Sequence, residues 1–344
     1  MRTLEGVVQH YDWGDEHAIP AMLGVPRDSR PWAELWFGTY QGGESFVRTD
    51  DGRVPLSHYA GDLSFLVKVI AAARPLSLQT HPDDTRAAEG FRAEEAAGVP
   101  ADAPNRRYRD PSAKPELLVA LTEFEAMCGF RDLAHAVADC RTNNWDELGT
   151  RLERDGLAEC VRWALLGGPH HLPDNLPPWV ASLATTYPGN GGVLVALLMH
   201  HVVLHPGEAL FLGAGNVHAY LSGTGLEVMA SSDNVVRAAF TRKHVDVEEF
   251  LSIATLAPAA PPVIRAEQTG DGRATYRVPV PHFGVERIDV AGHVSVGPAR
   301  GPEIVVCTDG DAGVLTRGDA CIVREGDTLD LRGVATLFRA WGRY

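Results

Sequence analysis

Gln79 and His81 lie two residues apart in the segment LSLQTHPDD, residues 76–84. On a strand, that spacing puts both side chains, with Ser77, on one face, and Leu76, Leu78 and Thr80 on the other. Pro82 ends the strand. A hydroxyl, an amide and an imidazole in a row are hydrogen-bonding and metal-ligating groups, not core groups. For His81 alone, a satisfied strand histidine is the ordinary explanation. Lysine usage adds a second signal: of 31 basic residues only Lys68, Lys114 and Lys243 are lysine. They sit in FLVKVI, AKPELL and FTRKHVD, segments that look chemical on other grounds, so two of the three are candidates for work that arginine cannot do, as a compact ammonium or proton donor, against a coding bias as the alternative.

These residues need strands to hold them. AELWFGTY, SFLVKVI, LSLQTHP and PELLVAL are β-rich runs bounded by Gly, Pro and Asp. The charged segment between Asp83 and Ala113 reads as a helix followed by a Pro-rich surface loop. Residues 131–190 carry helical periodicity in DLAHAVADC, WDELGTRLERDGLAECVRWALL and LPPWVASLATTYP. Strands return in GGVLVALLMHHVVLHPGEALFLGAGNVHAYL. Asp246 and Glu249 are spaced to cap the helix VEEFLSIATL. APAAPP then reads as a linker into a last stretch of short strands, in which EGDTLDL echoes PGEALFL as an acidic Gly turn followed by a strand.

The run from Gly207 through Gly213 and Gly215 to His218 resembles the second motif of the cupin superfamily, with Gly213 where that motif has proline. In such a barrel Gln79 and His81, Glu116 of KPE and His218 can enclose one divalent cation. Two imidazoles, a carboxylate and an amide oxygen suit Zn²⁺ with one position open. YDWG, AELWFGT, FLVKV, PLSLQTHPD, KPELLVAL, the run from Gly207 to Lys243 and the closing ATLFRAW are similar, in order over most of the chain, to type I phosphomannose isomerases. The resemblance implies a mainly β fold of two cupin-like jelly-roll barrels with an inserted α-helical domain. The expected parts are a catalytic barrel from 1–130 and 191–257, a helical insert at 131–190 and a C-terminal barrel at 258–344. It also implies one Zn²⁺ per chain on Gln79, His81, Glu116 and His218, a catalytic arginine at Arg237, and interconversion of mannose 6-phosphate and fructose 6-phosphate. For the proton transfer between C1 and C2, Lys114, Glu227 and Asp233 are all candidates. Ser77 and Lys68, with Arg237, are the expected phosphate-binding groups, and Trp13 a pocket wall. The chain departs from the family at Ser112-Ala113, where Asn-His is usual, at Tyr40-Gln41, where His-Pro is usual, and in the long insert before Lys114.

A formal net charge of −14 argues against a nucleic-acid partner. No apolar run reaches the ~20 residues of a membrane span. The segment MRTLEGVVQHYDWG lacks the features of a secretory leader, so a cytoplasmic protein is expected, and the resemblance implies a monomeric enzyme acting on a small phosphosugar. Five scattered cysteines without CxxC spacing predict buried, reduced thiols. Two rival readings use the same residues. One is a metal-binding cupin that senses or stores sugar phosphates without isomerase activity. The other is a non-haem iron oxygenase, which a fourth ligand at Gln79 disfavours.

Overall fold

The computed structural model describes residues 1–167 and 171–342. The fold is mainly β, with helices gathered chiefly in one inserted region. The long strand His218–Ala230 organises the half that carries the predicted site. From Gly223 onward it lies between Phe65–Ala72 and Glu116–Ala120. Before Gly223 it pairs instead with Phe124–Phe130, and through His218 with Gln79 of Leu78–Thr80. One strand thus serves two layers of a cupin-like wrap, and the change of partners falls at Gly223, where φ is +118°. A Cβ there would sit 2.6 Å from the Glu123 carbonyl oxygen. Only glycine combines that backbone angle with so close an approach.

Strand alternation decides what faces what. In Phe65–Ala72 the side chains of Val67, Val69 and Ala71 enter one apolar core with Leu35, Phe37, Leu117, Val119, Leu226 and Val228. The opposite face of the same strands carries Glu34, Trp36, Lys68, Glu116 and Glu227. Lys68 is the single charge in an otherwise apolar strand, and it is buried. Leu78 and Ala219 point outward into a second core shared with the helices Leu133–Thr142, Asp146–Leu166, Pro178–Thr186 and Gly192–Leu197. Their neighbours Gln79 and His218 therefore point inward. The helix Asp146–Leu166 is not continuous: Gly156 (φ 78°, ψ 177°) breaks it.

A second sheet runs from Glu267–Gly270 through Phe283–Val296, Leu329–Gly342, Glu303–Asp311 and Ala320–Val323. Its far edge is completed by the N-terminal strands Arg2–Glu5, Phe46–Thr49 and Gly52–Pro55. The helix Val247–Ile253 is capped by Asp246, whose carboxylate accepts from the Glu249 N–H at 3.0 Å. The reciprocal half of the expected capping pair is missing, because Glu249 binds Arg86 and Tyr108 instead. All five cysteines are free and buried. No helix among the described residues is long and apolar enough to cross a membrane.

Gly223→Ala should strain the crossover by roughly 1–3 kcal/mol, the usual cost of a disfavoured backbone region. A lowered urea midpoint with an unchanged slope is expected. An unchanged midpoint would show that the strand crosses layers without needing glycine.

Candidate active site

His81, Glu116 and His218 come from three separate segments, and their ligand atoms lie within 4.8 Å of one another. All three are buried. His81 Nδ1 faces the carbonyl of Asn234 at 2.8 Å, and His218 Nδ1 faces that of Asn216 at 3.0 Å. A carbonyl can only accept, so each Nδ1 carries the proton and each Nε2 presents a lone pair. His81 Nε2 lies 3.4 Å from Glu116 Oε2, and His218 Nε2 lies 3.7 Å from the same oxygen. Yet His81 Nε2 and Glu116 Oε2 are buried without a hydrogen-bond partner. Buried acceptors that face each other unpaired are costly unless a cation stands between them.

Protonation is a poor remedy here. Burial lowers the pKa of both imidazoles, that of His218 to about 4; His81 adds to the effect at His218, and Lys114 adds to it at His81. Burial alone would raise Glu116, but Lys114 and His81 outweigh it and hold the carboxyl well below its usual range. Lys114 donates to Glu116 Oε1, which leaves Oε2 for the centre. Gln79 Nε2 lies 3.4 Å from His218 Nε2, and Ser77 Oγ donates to Gln79 Oε1 at 2.8 Å. Turning the amide over would direct its oxygen at the centre and leave its NH₂ to the Ser77 hydroxyl. The three-residue set, with this amide beside it, fits a divalent cation that accepts nitrogen and oxygen ligands.

Above the centre opens a cleft of about 260 Å³. Of the predicted residues, Trp13, Lys68, Ser77, Gln79, Lys114, Glu116, Glu227, Asp233 and Arg237 line it, while His81 and His218 lie behind its floor. Lys243 lines it as well, so all three lysines of the chain meet at one cleft. Lys68 sits between Glu227 at 3.5 Å and Glu34 at 3.7 Å, with its ammonium 4.7 Å from the Trp36 ring centre. Burial works to lower its pKa, but the two carboxylates prevail and raise it. Glu227 is pushed up to about 7 by burial and by the charge of Glu116, and accepts from the Tyr220 hydroxyl at 2.9 Å. Arg237 makes no side-chain hydrogen bond among the described residues beyond its electrostatic pairing with Asp233, and burial lowers its pKa. Lys243 lies 4.9 Å from the centre of the Tyr11 ring, and desolvation and Arg237 lower its pKa. Asp233 is half exposed and pairs with Arg109 at 3.5 Å.

Tyr11, Arg74, Tyr220 and Arg242 also line the cleft and were not singled out from the sequence. Tyr220 is two residues past His218 on the same strand, so alternation could have found it, whereas Tyr11 lies in the turn that follows Val7–Gln9 and carries no such signal. Arg74 and Arg242 carry no such mark among 28 arginines.

The fold and the centre define a cupin-like metalloprotein with a cationic cleft. Residues 1–133 match the family model described as phosphomannose isomerase type I, catalytic domain. Mannose-6-phosphate isomerase of Salmonella typhimurium is 32% identical over 91% of this chain and 90% of its own. The Escherichia coli enzyme of that name is also 32% identical over 91% and 90%. The crystal structure of the Salmonella enzyme bound to fructose 6-phosphate and zinc superimposes with a TM-score of 0.90 at 29% identity, over the full length of both chains. The chain belongs to the type I phosphomannose isomerase family and is an isomerase of that family.

The depressed imidazole pKa values set a sign for stability. Between about 4 and the unfolded value near 6.5 the unfolded chain binds more protons than the folded one. Glu227, raised to about 7, acts in the opposite sense, but it is one group against two imidazoles, so the metal-free protein should lose stability as pH falls through that window. Thermal melts of chelator-treated protein from pH 7.5 to 4.5 read this out. A melting temperature that rises on acidification would contradict the neutral-imidazole assignment.

Proposed function

We propose that this chain interconverts D-mannose 6-phosphate and D-fructose 6-phosphate through a cis-enediol, with one zinc ion held by His81, Glu116, His218 and Gln79. The observation that carries the reading is the pair of orphaned acceptors, His81 Nε2 and Glu116 Oε2, at the floor of a cleft lined by cations. When bound, zinc supplies Lewis acidity that polarises a substrate oxygen. The zinc and fructose 6-phosphate in the similar Salmonella structure support both assignments.

The protein's own groups then divide the work. Arg237, always charged and short of protein partners, faces the enediolate oxygen or the phosphate. Lys243 beside it, with Arg74 and Arg242 on the same cleft, supplies a cationic end for the phosphate dianion. Lys68 is a weaker phosphate ligand than the sequence suggests, because Glu34 and Glu227 already balance it. Ser77 contributes through Gln79, and Trp13, stacked on Tyr11 with ring centres 5.7 Å apart, forms a wall. Lys114 already donates to Glu116 Oε1 and is assigned as a second donor, to a substrate oxygen. The base that carries the proton between C1 and C2 is then Glu227 or Asp233. Glu227, with a pKa near neutrality, can both take and return a proton.

A coupled assay for fructose 6-phosphate formed from mannose 6-phosphate should show turnover that chelation abolishes and zinc restores. Zinc-replete protein that binds phosphosugars without turnover would favour the sensor reading instead.

Arg237→Ala should lower kcat roughly 10²-fold or more, the scale for losing one preorganised donor, with zinc content unchanged. If Arg237 binds the phosphate, KM rises and kcat is largely kept. Normal values of both, measured alongside metal content, would reassign the arginine to structure.

A further inference from the structure

Asn234 is fully buried and touches neither the cleft nor the centre through its side chain. Its carboxamide is nonetheless saturated. Oδ1 accepts from the backbone N–H groups of Arg109 at 2.7 Å and Asp110 at 3.4 Å. Nδ2 donates to the carbonyls of Asp110 at 2.7 Å and Ser112 at 2.8 Å. Backbone donors on one side and carbonyls on the other fix the orientation of the amide. The return contacts tighten the lattice. The Asp233 N–H donates to Asp110 Oδ2 at 3.0 Å, and Ser232 Oγ donates to the Ser112 carbonyl at 3.2 Å.

Three functional groups hang from this lattice. Asn234's own carbonyl accepts from His81 Nδ1 and so sets the lone pair at Nε2. The loop at 109–112 runs directly into Lys114 and Glu116. Asp233 and Arg237 flank Asn234 in the chain. The loop closes the charged segment between Asp83 and Ala113 that leads into Lys114. We propose that Asn234 is a positioning residue that locks the loop at 109–112 to the segment 232–237, holding the His81 ligand, the Lys114 ammonium and the Arg237 guanidinium in one register. The kinetic part of this rests on the isomerase reading above, whereas the metal-affinity and loop-order parts do not.

The test compares Asn234→Ala and Asn234→Asp with Leu315→Ala, which opens a cavity in the distant C-terminal core. Asn234→Asp keeps the oxygen that accepts from the two N–H groups but sets a carboxylate against two carbonyls and Asp110 Oδ1. Three readouts are taken on the full chain: hydrogen exchange of the Arg109 and Asp110 amides in metal-free protein, zinc affinity by chelator competition, and steady-state kinetics. Both variants keep the Asn234 carbonyl that His81 uses but no longer hold it in place, so zinc affinity should fall by about 10-fold in each, the lower end of the scale for losing an outer-shell partner outright. kcat should fall by a similar factor while KM changes little, and Asn234→Ala should lose protection at Arg109 and Asp110. Leu315→Ala should melt earlier yet keep zinc affinity and kcat. If Asn234→Ala does not fold, the zinc affinity and kcat of Asn234→Asp decide. Losses no larger than those of Leu315→Ala, or unchanged amide protection in a folded Asn234→Ala, overturn the proposal. Wild-type protein without isomerase turnover would defeat the functional reading and leave the zinc and exchange results to judge Asn234.

Discussion

The structure is organised around three lone pairs forced together in a dry interior. Each imidazole has spent its proton on a backbone carbonyl, and Glu116 turns an unpartnered oxygen toward both rings. Burial opposes charging the rings, while Lys114 and the rings oppose protonating the carboxylate. A proton therefore cannot easily resolve the conflict, and a divalent cation can. The strand arrangement follows from this demand. His218 and Glu116 must be delivered by neighbouring strands of the barrel, and Gln79 and His81 by a short strand that reaches the same end. The crossing of His218–Ala230 between layers at Gly223 lets one strand serve both.

Charge in the cleft is arranged by position and not by total. At the floor, Glu34, Glu116 and Glu227 stand against Lys68 and Lys114. If all five are ionised, the floor carries one excess negative charge, and a divalent cation turns it to one excess positive charge. Toward the mouth, burial lowers the proton affinity of both Arg237 and Lys243, and the charge of Arg237 lowers that of Lys243 further. An anion placed between them would relieve that repulsion. A chain with a net charge of −14 can thus present an anion site, because the local field is set by a few desolvated groups.

The sequence disclosed the centre better than the scaffold. Gln79, His81 and Ser77 betray themselves by alternation with Leu78, and the sparse lysines all reach the cleft. Glu116 and His218 became legible only through family-like motifs, since nothing local brings residues 116 and 218 together. The pairing of Arg2–Glu5 with Ala320–Val323 left no trace in the text, because strand pairing across three hundred residues depends on tertiary packing. The fate of Glu249 was hidden for a similar reason. Its spacing from Asp246 suits a helix cap, but Arg86 and Tyr108 of the insert outbid the backbone N–H. Arg74 and Arg242 could not be told from the arginines on the surface.

The C-terminal sheet takes part in the site without touching it. Val67 and Val69 of Phe65–Ala72, Leu117 and Val119 of Glu116–Ala120, and Leu226 and Val228 of His218–Ala230 all pack into one core. Phe283, Val285, Ile304 and Phe338 of the C-terminal sheet complete that core. Because side chains alternate, an apolar backing on that face is what frees the other face for Lys68, Glu116 and Glu227. The N-terminal segment ties the two sheets together. Arg2–Glu5 pairs with the C-terminal sheet and Val7–Gln9 with Glu34–Phe37 of the catalytic one. Between them a Cβ on Gly6 would lie 2.7 Å from the side chains of Leu35 and Phe37, so the chain passes where only glycine fits. Tyr11 and Trp13 follow at once on the cleft wall. The second sheet thus sets where that wall stands, which gives it a physical role in a reaction it never contacts.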